Sequence, residues 1–237
     1  FTPAYFEKSL NDDNGKFLFE KMFSDVLLRL SGSVDRVDIA NLGDQKLLRV
    51  VDYKSGKKKF SPADVMYGLN MQMLLYLIAI INDEKLSSCV DSSILYQRIE
   101  PPYEFVDREK NSDEAKLSSD RSQLKAFGVG VDKFSSKDIQ GDVSLESYSS
   151  AEFDNLKEMV NKKLEEYLMA LKDGEISPKP TMSKDSKESA CEYCDYWSVC
   201  SAYNRLECKI VDKNDVEIFM DEISKMTGGV TADEVDR

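Results

Sequence analysis

The chain contains no histidine, and this absence removes a large class of chemistry. Acid–base catalysis by imidazole and zinc sites with a histidine ligand are both excluded within these residues. No apolar run approaches the roughly 20 residues that a membrane-spanning helix requires, so we expect no membrane partner. No secretory leader is visible at Phe1, and the five cysteines are unevenly spaced, which together predict a cytoplasmic, reducing compartment.

Positive charge is also scarce, because 32 lysine and arginine residues stand against 44 acidic residues, for a net charge of −12. Nucleic-acid binding relies on lysine and arginine to neutralise phosphates, so a broadly basic surface is excluded. Any nucleic-acid role therefore needs a local basic patch or a partner's surface. The sequence does not begin with methionine, and we expect it to be a fragment of a longer polypeptide.

The hydrophobic pattern predicts both strands and helices, and therefore a mixed α/β (α+β) fold. Two strands at 29–40 and 46–55 are joined by a tight turn at Gly43-Asp44. The sequence Ser-Pro-Ala-Asp at 61–64 is typical of a helix N-terminus and predicts a buried helix that continues to about residue 82.

The second half of the chain contains further elements and a possible boundary. The patterns predict strands at 93–99 and 103–107, a charged insertion at 108–148, a helix from Ser149 to Lys172 ended by Gly174, and a last helix from Asn214 to just before Gly228. We expect residues 1–175 to form the core, and residues 176–237 to form a linker, a cysteine segment and a terminal helix packed on it.

Charged residues at the end of the predicted hairpin suggest a cation site. Counting across the turn places Asp35 directly opposite Asp52, on one face with Lys54. Opposed carboxylates repel unless a cation lies between them, and an oxygen-rich pair suits Mg²⁺. An exposed cluster of charges at a strand end remains the alternative. On the other face Asp38 pairs with Arg49, so we interpret Asp38 as an ion-pair partner and not as a ligand.

Three ordered motifs resemble the RecB-like branch of the PD-(D/E)XK nucleases. They are GSVDRVD at 32–38, VVDYKSG at 50–56 and YGLNMQMLLYL at 67–77. The residues of these motifs are most similar to those of the C-terminal nuclease domain of the AddB/RexB subunits of bacterial helicase–nuclease complexes. The resemblance covers roughly residues 1–210 and is weak across 108–148. It implies a restriction-endonuclease-like core, in which helices flank a mixed central sheet, with a cysteine-bearing C-terminal tail.

The resemblance also implies roles for individual residues. Asp35 and Asp52 match the metal-binding carboxylates, with the Tyr53 carbonyl completing a site for Mg²⁺ or Mn²⁺. Lys54 matches the catalytic lysine.

A second group of implied roles lies outside the hairpin. Gln72 and Tyr76 match the Gln-x-x-x-Tyr of a helix beside the site, and their spacing places both on one helix face, although a plain polar stripe is the alternative. Gly68 is expected to allow close contact between helix and strand. Glu7 matches a family carboxylate poorly, and we expect a surface residue.

Three cysteines follow a ligand spacing, Cys191-x2-Cys194-x5-Cys200. The resemblance implies that they are three of the four ligands of a [4Fe–4S] cluster, with the fourth ligand upstream of Phe1. The cluster would hold the C-terminal tail against the front of the domain. In this fragment we therefore expect the cluster to be absent or incomplete. Cys208 is an alternative fourth ligand with the wrong spacing, and a redox-labile surface cluster is the alternative for the trio.

Together, the resemblance implies an Mg²⁺-dependent DNA exonuclease domain that hydrolyses phosphodiester bonds. The substrate would be a single strand delivered by a helicase, with an AddA-type subunit as partner, during double-strand-break end processing and recombinational repair. Lys57, Lys58 and Lys59 would supply local positive charge for DNA, unless they form only a solvated loop. The alternatives are a non-catalytic assembly module of the same complex, or a stand-alone exonuclease of the CRISPR-associated type.

Overall fold

The structure, a computed structural model, describes most of the chain in two compact units. The described residues are 1–55, 60–99, 126–141, 143–177, 179–182, 191, 194–196, 198–200, 209–212 and 214–227. The first unit comprises Phe1–Lys21, Leu27–Phe60 and Gln72–Phe153, and the second comprises Met22–Val26, Ser61–Met71 and Asp154–Arg237. Each unit draws on separate stretches of the chain, so a domain boundary at residue 175 stays a prediction.

The elements are named here in chain order. The strands are β1 (Thr2–Ser9), β2 (Glu20–Phe23), β3 (Val26–Arg29), β4 (Ser33–Leu42), β5 (Gln45–Lys54), β6 (Cys89–Arg98), β7 (Phe127–Val131), β8 (Ser144–Tyr148), β9 (Thr181–Met182) and β10 (Lys209–Ile210). The helices are α1 (Pro62–Met66), α2 (Gln72–Ile80), α3 (Lys137–Gln140), α4 (Ser150–Lys172) and α5 (Asn214–Thr227), with a short 3₁₀ helix at Asp132–Phe134.

A six-stranded mixed sheet organises the first unit, in the spatial order β1-β4-β5-β6-β7-β8. The pairs β5–β6 and β7–β8 are parallel, and the other three neighbouring pairs are antiparallel. Parallel neighbours cannot be joined by a hairpin, and the chain between β5 and β6 is long enough for a crossover because it contains α1 and α2. The predicted α/β class with a mixed central sheet is confirmed.

The β4–β5 hairpin has the predicted turn. Leu42 pairs with Gln45, which leaves Gly43 and Asp44 as the two loop residues. Gly43 has a φ of 58°, a conformation that glycine adopts without steric cost. The register that follows from this turn runs along the hairpin to Arg36 opposite Val51.

The centre of the sheet is buried on both faces. All residues of β5 from Leu47 to Asp52 are buried, as expected for a strand covered on both sides. Helix α2 packs against β5 and β6, and Leu74 and Leu77 within it are fully buried. A second apolar cluster includes Val51, which alternates with Asp52 and therefore faces the other side of the strand.

The predicted continuous helix over 61–82 is wrong, because the chain leaves the helical path between α1 and α2. Ser61 caps α1 as expected, accepting a hydrogen bond from the N–H of Asp64 at 3.3 Å. Gly68 and Asn70 then adopt φ values of 82° and 54°, which an α-helix does not tolerate. Asn70 Nδ2 donates to Asp64 Oδ2 at 2.9 Å and stabilises the break.

Gly68 has a different role from the one expected. A Cβ atom at this position would lie 1.5 Å from the hydroxyl oxygen of Tyr167, a residue of α4. The expected contact between helix and strand is therefore replaced by close approach of a side chain from another helix.

The stretch expected to be an insertion contributes to the sheet. Residues of 108–148 form β7 and β8, which pair with β6 and with each other. The charged, serine-rich composition concealed these strands, because β8 is an edge strand with mostly exposed side chains. The predicted strand at 103–107 lies outside the described residues.

The last two helices are confirmed. Ser149 and Glu152 form a reciprocal capping box at the start of α4: the N–H of Glu152 donates to Ser149 Oγ at 3.2 Å, and the N–H of Ser149 donates to Glu152 Oε2 at 2.7 Å. Gly174, at a φ of 73°, follows the end of α4. Within the described part of the chain, no helix is both long and apolar enough to cross a membrane.

Candidate active site

Asp35 and Asp52 lie on neighbouring strands at the end of the hairpin. The paired register ends with Arg36 opposite Val51, and Asp35 and Asp52 are the residues that come next on the two strands. The peptide N–H of Tyr53 donates to Asp35 Oδ2 at 2.8 Å and fixes that carboxylate against β5. The structure therefore brings together the two carboxylates that the sequence predicted.

Lys54 completes the predicted trio. Its Nζ lies 2.7 Å from Asp52 Oδ2, with the lysine side chain 30% exposed and the aspartate side chain 4% exposed. A buried carboxylate is costly unless a cation or hydrogen-bond donors compensate its charge, and here an ammonium does so. The accessible end of the pair is the lysine, which is the group that a substrate entering from solvent would meet.

Helix α2 adds the two residues expected beside the site. Lys54 Nζ donates to Gln72 Oε1 at 3.3 Å, and Gln72 Nε2 donates to Tyr76 OH at 2.9 Å. Gln72 is the first residue of α2, and Tyr76 lies one helical turn further on, so both side chains reach the same side of the helix. A continuous chain of contacts thus runs from Asp52 through Lys54 and Gln72 to Tyr76.

The donor chemistry of this site fits a hard divalent cation. Asp35 and Asp52 offer carboxylate oxygens, and the Tyr53 carbonyl lies on the strand between Asp52 and Lys54. Mg²⁺ is commonly bound by one or two carboxylates, with water and substrate oxygens completing its coordination. Across the described ranges, no group of three or more Cys, Asp or Glu side chains is placed to hold a metal ion.

The face of the hairpin away from Asp35 holds an ion pair that the sequence predicted and a neighbour that it missed. Asp38 Oδ2 lies 2.9 Å from Arg49 Nε, which supports the interpretation that Asp38 is not a ligand. Burial lowers the pKa of Arg49, and the adjacent Asp38 carboxylate opposes that shift. Arg36 also contacts Asp38, and the alternation of residues in GSVDRVD could have indicated its face.

Glu7 is exposed, as expected, and lies on β1 beside β4. Its Oε2 accepts a hydrogen bond from Ser33 Oγ at 3.2 Å, and its φ of 47° is unusual for a residue with a side chain. Nothing in these contacts gives it a role in the chemistry.

The cysteine trio does not form a metal site among the described residues. Cys194 and Cys200 are exposed and Cys191 is half-buried, and none of the three forms a disulfide bond among the described residues. The N–H of Cys194 donates to the Cys191 carbonyl at 3.3 Å, which is a turn contact. The iron–sulfur role of these cysteines stays a prediction. Lys57, Lys58, Lys59 and Cys208 lie outside the described residues.

Comparisons with known proteins give a consistent result. The family described as the PD-(D/E)XK nuclease superfamily matches residues 1–201. Among curated proteins, the chain is 32% identical to an ATP-dependent helicase/deoxyribonuclease subunit of Clostridium botulinum (strain Hall), over 95% of the chain and 22% of that protein.

Two further relatives are also ATP-dependent helicase/deoxyribonuclease subunits. The chain is 30% identical to the one from Clostridium perfringens (strain ATCC 13124), over 84% of the chain and 19% of that protein. It is 28% identical to the one from Caldanaerobacter subterraneus subsp. tengcongensis, with the same two coverages of 84% and 19%. The chain therefore spans about a fifth of the length of these curated relatives.

Proposed function

The chain belongs to the PD-(D/E)XK nuclease superfamily, and from that premise we propose that it hydrolyses DNA phosphodiester bonds with Mg²⁺ or Mn²⁺ bound by Asp35 and Asp52. The observation that carries this proposal is the position of Asp35 and Asp52 at the end of the hairpin, with Asp35 hydrogen-bonded to the Tyr53 N–H and Lys54 in contact with Asp52. When bound, the cation would acidify a water molecule and offset charge on the phosphate.

The protein's own residues have separable tasks in this proposal. The Tyr53 N–H donates a hydrogen bond to one oxygen of Asp35, which orients the carboxylate and leaves it negatively charged. The Lys54 ammonium is positioned to orient water or to offset the negative charge that develops on the phosphoryl oxygens. Its contact with Gln72 restrains the flexible lysine side chain, which reduces the entropy lost when substrate binds.

The larger setting is proposed from the relatives, which are subunits of helicase/deoxyribonucleases. We propose that the chain acts as an exonuclease domain on a single strand delivered by a helicase, with an AddA-type subunit as partner, in double-strand-break end processing. A net charge of −12 supports this arrangement, because an acidic domain holds DNA weakly and benefits from a partner that supplies the phosphate contacts. Lys57, Lys58 and Lys59 remain the proposed local DNA contacts.

The test is cleavage of single-stranded DNA by the full-length protein, with Mg²⁺ or Mn²⁺. Asp52→Asn and Lys54→Met should each reduce the cleavage rate by at least about 10²-fold, as for loss of a principal electrostatic group. Asp44→Asn and Lys46→Met are matched controls, because both residues are exposed on the same hairpin, and these variants should cleave normally. Equal rates for wild type and Asp52→Asn would instead favour a non-catalytic assembly module.

A further inference from the structure

A cluster of charged residues lies on the face of the hairpin opposite to the candidate active site. Residues alternate between faces along a strand, so Arg36 lies on the other side of β4 from Asp35, and Tyr53 on the other side of β5 from Asp52. Arg36 Nη1 donates to Tyr53 OH at 2.7 Å, and Arg36 Cζ lies 5.4 Å from the centre of the Tyr53 ring. The two side chains are thus joined by a hydrogen bond and a cation–π contact.

Asp38 fixes the guanidinium of Arg36 at two points. Arg36 Nε lies 2.8 Å from Asp38 Oδ1, and Arg36 Nη2 donates to Asp38 Oδ2 at 3.2 Å. The Asp38 side chain is 1% exposed, and an ion pair to one of its oxygens with a hydrogen bond to the other restricts the guanidinium. Arg36 can therefore present Nη1 to Tyr53 in one direction.

Arg49 holds Asp38 from the neighbouring strand. Its Nε donates to Asp38 Oδ2 at 2.9 Å, and its Nη1 donates to the Gln140 carbonyl at 3.1 Å. The Gln140 side chain in turn accepts a hydrogen bond from Ser93 Oγ at 3.2 Å. The cluster is therefore anchored to β4, β5, β6 and α3, which makes it a rigid support.

Tyr53, the residue that these contacts support, lies at the centre of the candidate site. The Tyr53 N–H donates to Asp35 Oδ2, and Tyr53 stands between Asp52 and Lys54 in the strand. Movement of the Tyr53 peptide would therefore displace Asp35 directly, and would displace Asp52 and Lys54 through the backbone. Small displacements of groups that bind a cation or substrate carry large costs.

We propose that Arg36 and Tyr53 are positioning residues, which fix the Tyr53 peptide from the opposite face of the sheet so that Asp35 and Asp52 are held at cation-binding separation. This inference rests on the proposed function. A purely structural role for the same contacts would stabilise the fold without affecting the affinity for the cation.

The experiment measures Mn²⁺ binding to the full-length protein by isothermal titration calorimetry, alongside its thermal unfolding temperature. Tyr53→Phe removes one hydroxyl and keeps the ring and the peptide, and Arg36→Gln removes the guanidinium. Each should raise the Kd for Mn²⁺ about 10-fold, the range seen when supporting residues of a metal site are lost. Arg36→Lys should give a smaller increase, because lysine keeps the positive charge beside Asp38, but some increase should remain because an ammonium cannot contact Asp38 at two points while also reaching Tyr53.

The double variant tests whether the two side chains act together. Combining Arg36→Gln with Tyr53→Phe should raise the Kd little beyond either single change, because both remove the same contact. Additive effects would show that the residues act separately and would overturn the proposal.

Arg29 provides a matched control. Its Nε lies 2.5 Å from Glu20 Oε2, and its Cζ lies 5.4 Å from the Phe17 ring, so it makes the same kinds of contact away from the site. Arg29→Gln should leave the Kd for Mn²⁺ unchanged.

Two outcomes would contradict the proposal in different ways. If wild type binds Mn²⁺ no better than Asp52→Asn, the proposed function fails, and the inference fails with it. If Asp52→Asn abolishes binding but Tyr53→Phe and Arg36→Gln bind Mn²⁺ as wild type does, the cation site stands. The positioning role alone is then wrong, and any loss of thermal stability in these variants reports a structural contact.

Discussion

The Nζ atom of Lys54 lies 2.7 Å from Oδ2 of the buried Asp52, two residues earlier on the same strand. Lys54→Met removes the cation that offsets this carboxylate. Because the lysine is 30% exposed, we expect the free energy of unfolding to decrease by about 1–3 kcal/mol, which is below the range for a fully buried pair. Thermal unfolding of the full-length protein, without added divalent cation, measures the change.

The control for this prediction lies on the same strand. Lys46→Met removes an exposed lysine from the start of β5 and should leave the unfolding temperature nearly unchanged. Combining Asp52→Asn with Lys54→Met should recover part of the lost stability, because the carboxylate charge is then also absent. Loss of stability that is identical in the double and single variants would contradict the electrostatic explanation.

We expect Gln72 to contribute to catalysis by restraining the Lys54 side chain. Gln72→Ala removes the oxygen that accepts from Lys54 Nζ at 3.3 Å, and should lower kcat for DNA cleavage by about 10- to 100-fold. Tyr76→Phe removes only the hydroxyl that contacts Gln72, so its effect should be smaller. Single-turnover cleavage rates at saturating Mg²⁺ make the comparison.

A second glutamine separates this effect from a general loss of amide groups. Gln45→Ala alters an exposed residue beside the hairpin turn and should cleave at the wild-type rate. A larger defect for Tyr76→Phe than for Gln72→Ala would reverse the proposed order and indicate direct contact between Tyr76 and the substrate.

The sequence predicted the hairpin and its carboxylates because a short turn fixes the register. Once Gly43 and Asp44 are assigned to the loop, simple counting brings Asp35 and Asp52 together. Lys54 follows from alternation along the same strand. These inferences depend only on the turn and on the alternation of side chains along each strand, and not on contacts with distant residues.

Features that depend on distant residues could not be predicted in this way. The break after α1 occurs at Gly68, where the Tyr167 hydroxyl occupies the space of a Cβ atom, and no local pattern contains that contact. Arg36 was overlooked because it lies on the face away from the carboxylates, and because its contact with Tyr53 is diagonal across the hairpin and not between directly opposed residues. The edge strand β8 lacks the buried alternation by which strands are recognised.

Gly68 and Gly174 allow steric crowding to be separated from backbone strain. Their φ values are 82° and 73°, and each follows a helix end with the same pair of backbone hydrogen bonds, so alanine at either position should cost about 1–2 kcal/mol in backbone strain. No described atom lies within 4 Å of a Cβ at Gly174, whereas the Tyr167 hydroxyl lies 1.5 Å from one at Gly68. Gly68→Ala should therefore lower the unfolding temperature more than Gly174→Ala does.

Removal of the Tyr167 side chain should relieve the difference. In a Tyr167→Ala background, Gly68→Ala should cost about as much as Gly174→Ala, because only the backbone strain remains. Equal costs for the two glycine substitutions in the wild-type background would show that the Tyr167 side chain moves aside freely.

We expect Asp83 to make part of the stability of the folded protein depend on pH. Burial alone would raise its pKa, but the Lys8 ammonium at 2.6 Å and the Lys85 N–H at 2.9 Å outweigh burial and hold the pKa below its usual range. A carboxyl group with a lowered pKa in the folded state stabilises the protein above its unfolded pKa, about 4. That contribution is lost as the pH falls below about 4, toward the folded-state value.

The measurement is the difference in unfolding temperature between wild type and Asp83→Asn at several pH values. The difference should be steady from pH 7 to about pH 5 and should narrow below about pH 4, where protonation removes the charge from wild type as well. Asp13→Asn is the control, because Asp13 pairs with Lys85 at 2.5 Å but its side chain is 73% exposed. Its smaller effect should vanish in high salt, whereas the Asp83 effect should persist because the Lys8–Asp83 pair is buried. A difference that stays constant down to pH 3 would show that Asp83 stabilises the fold without its charge.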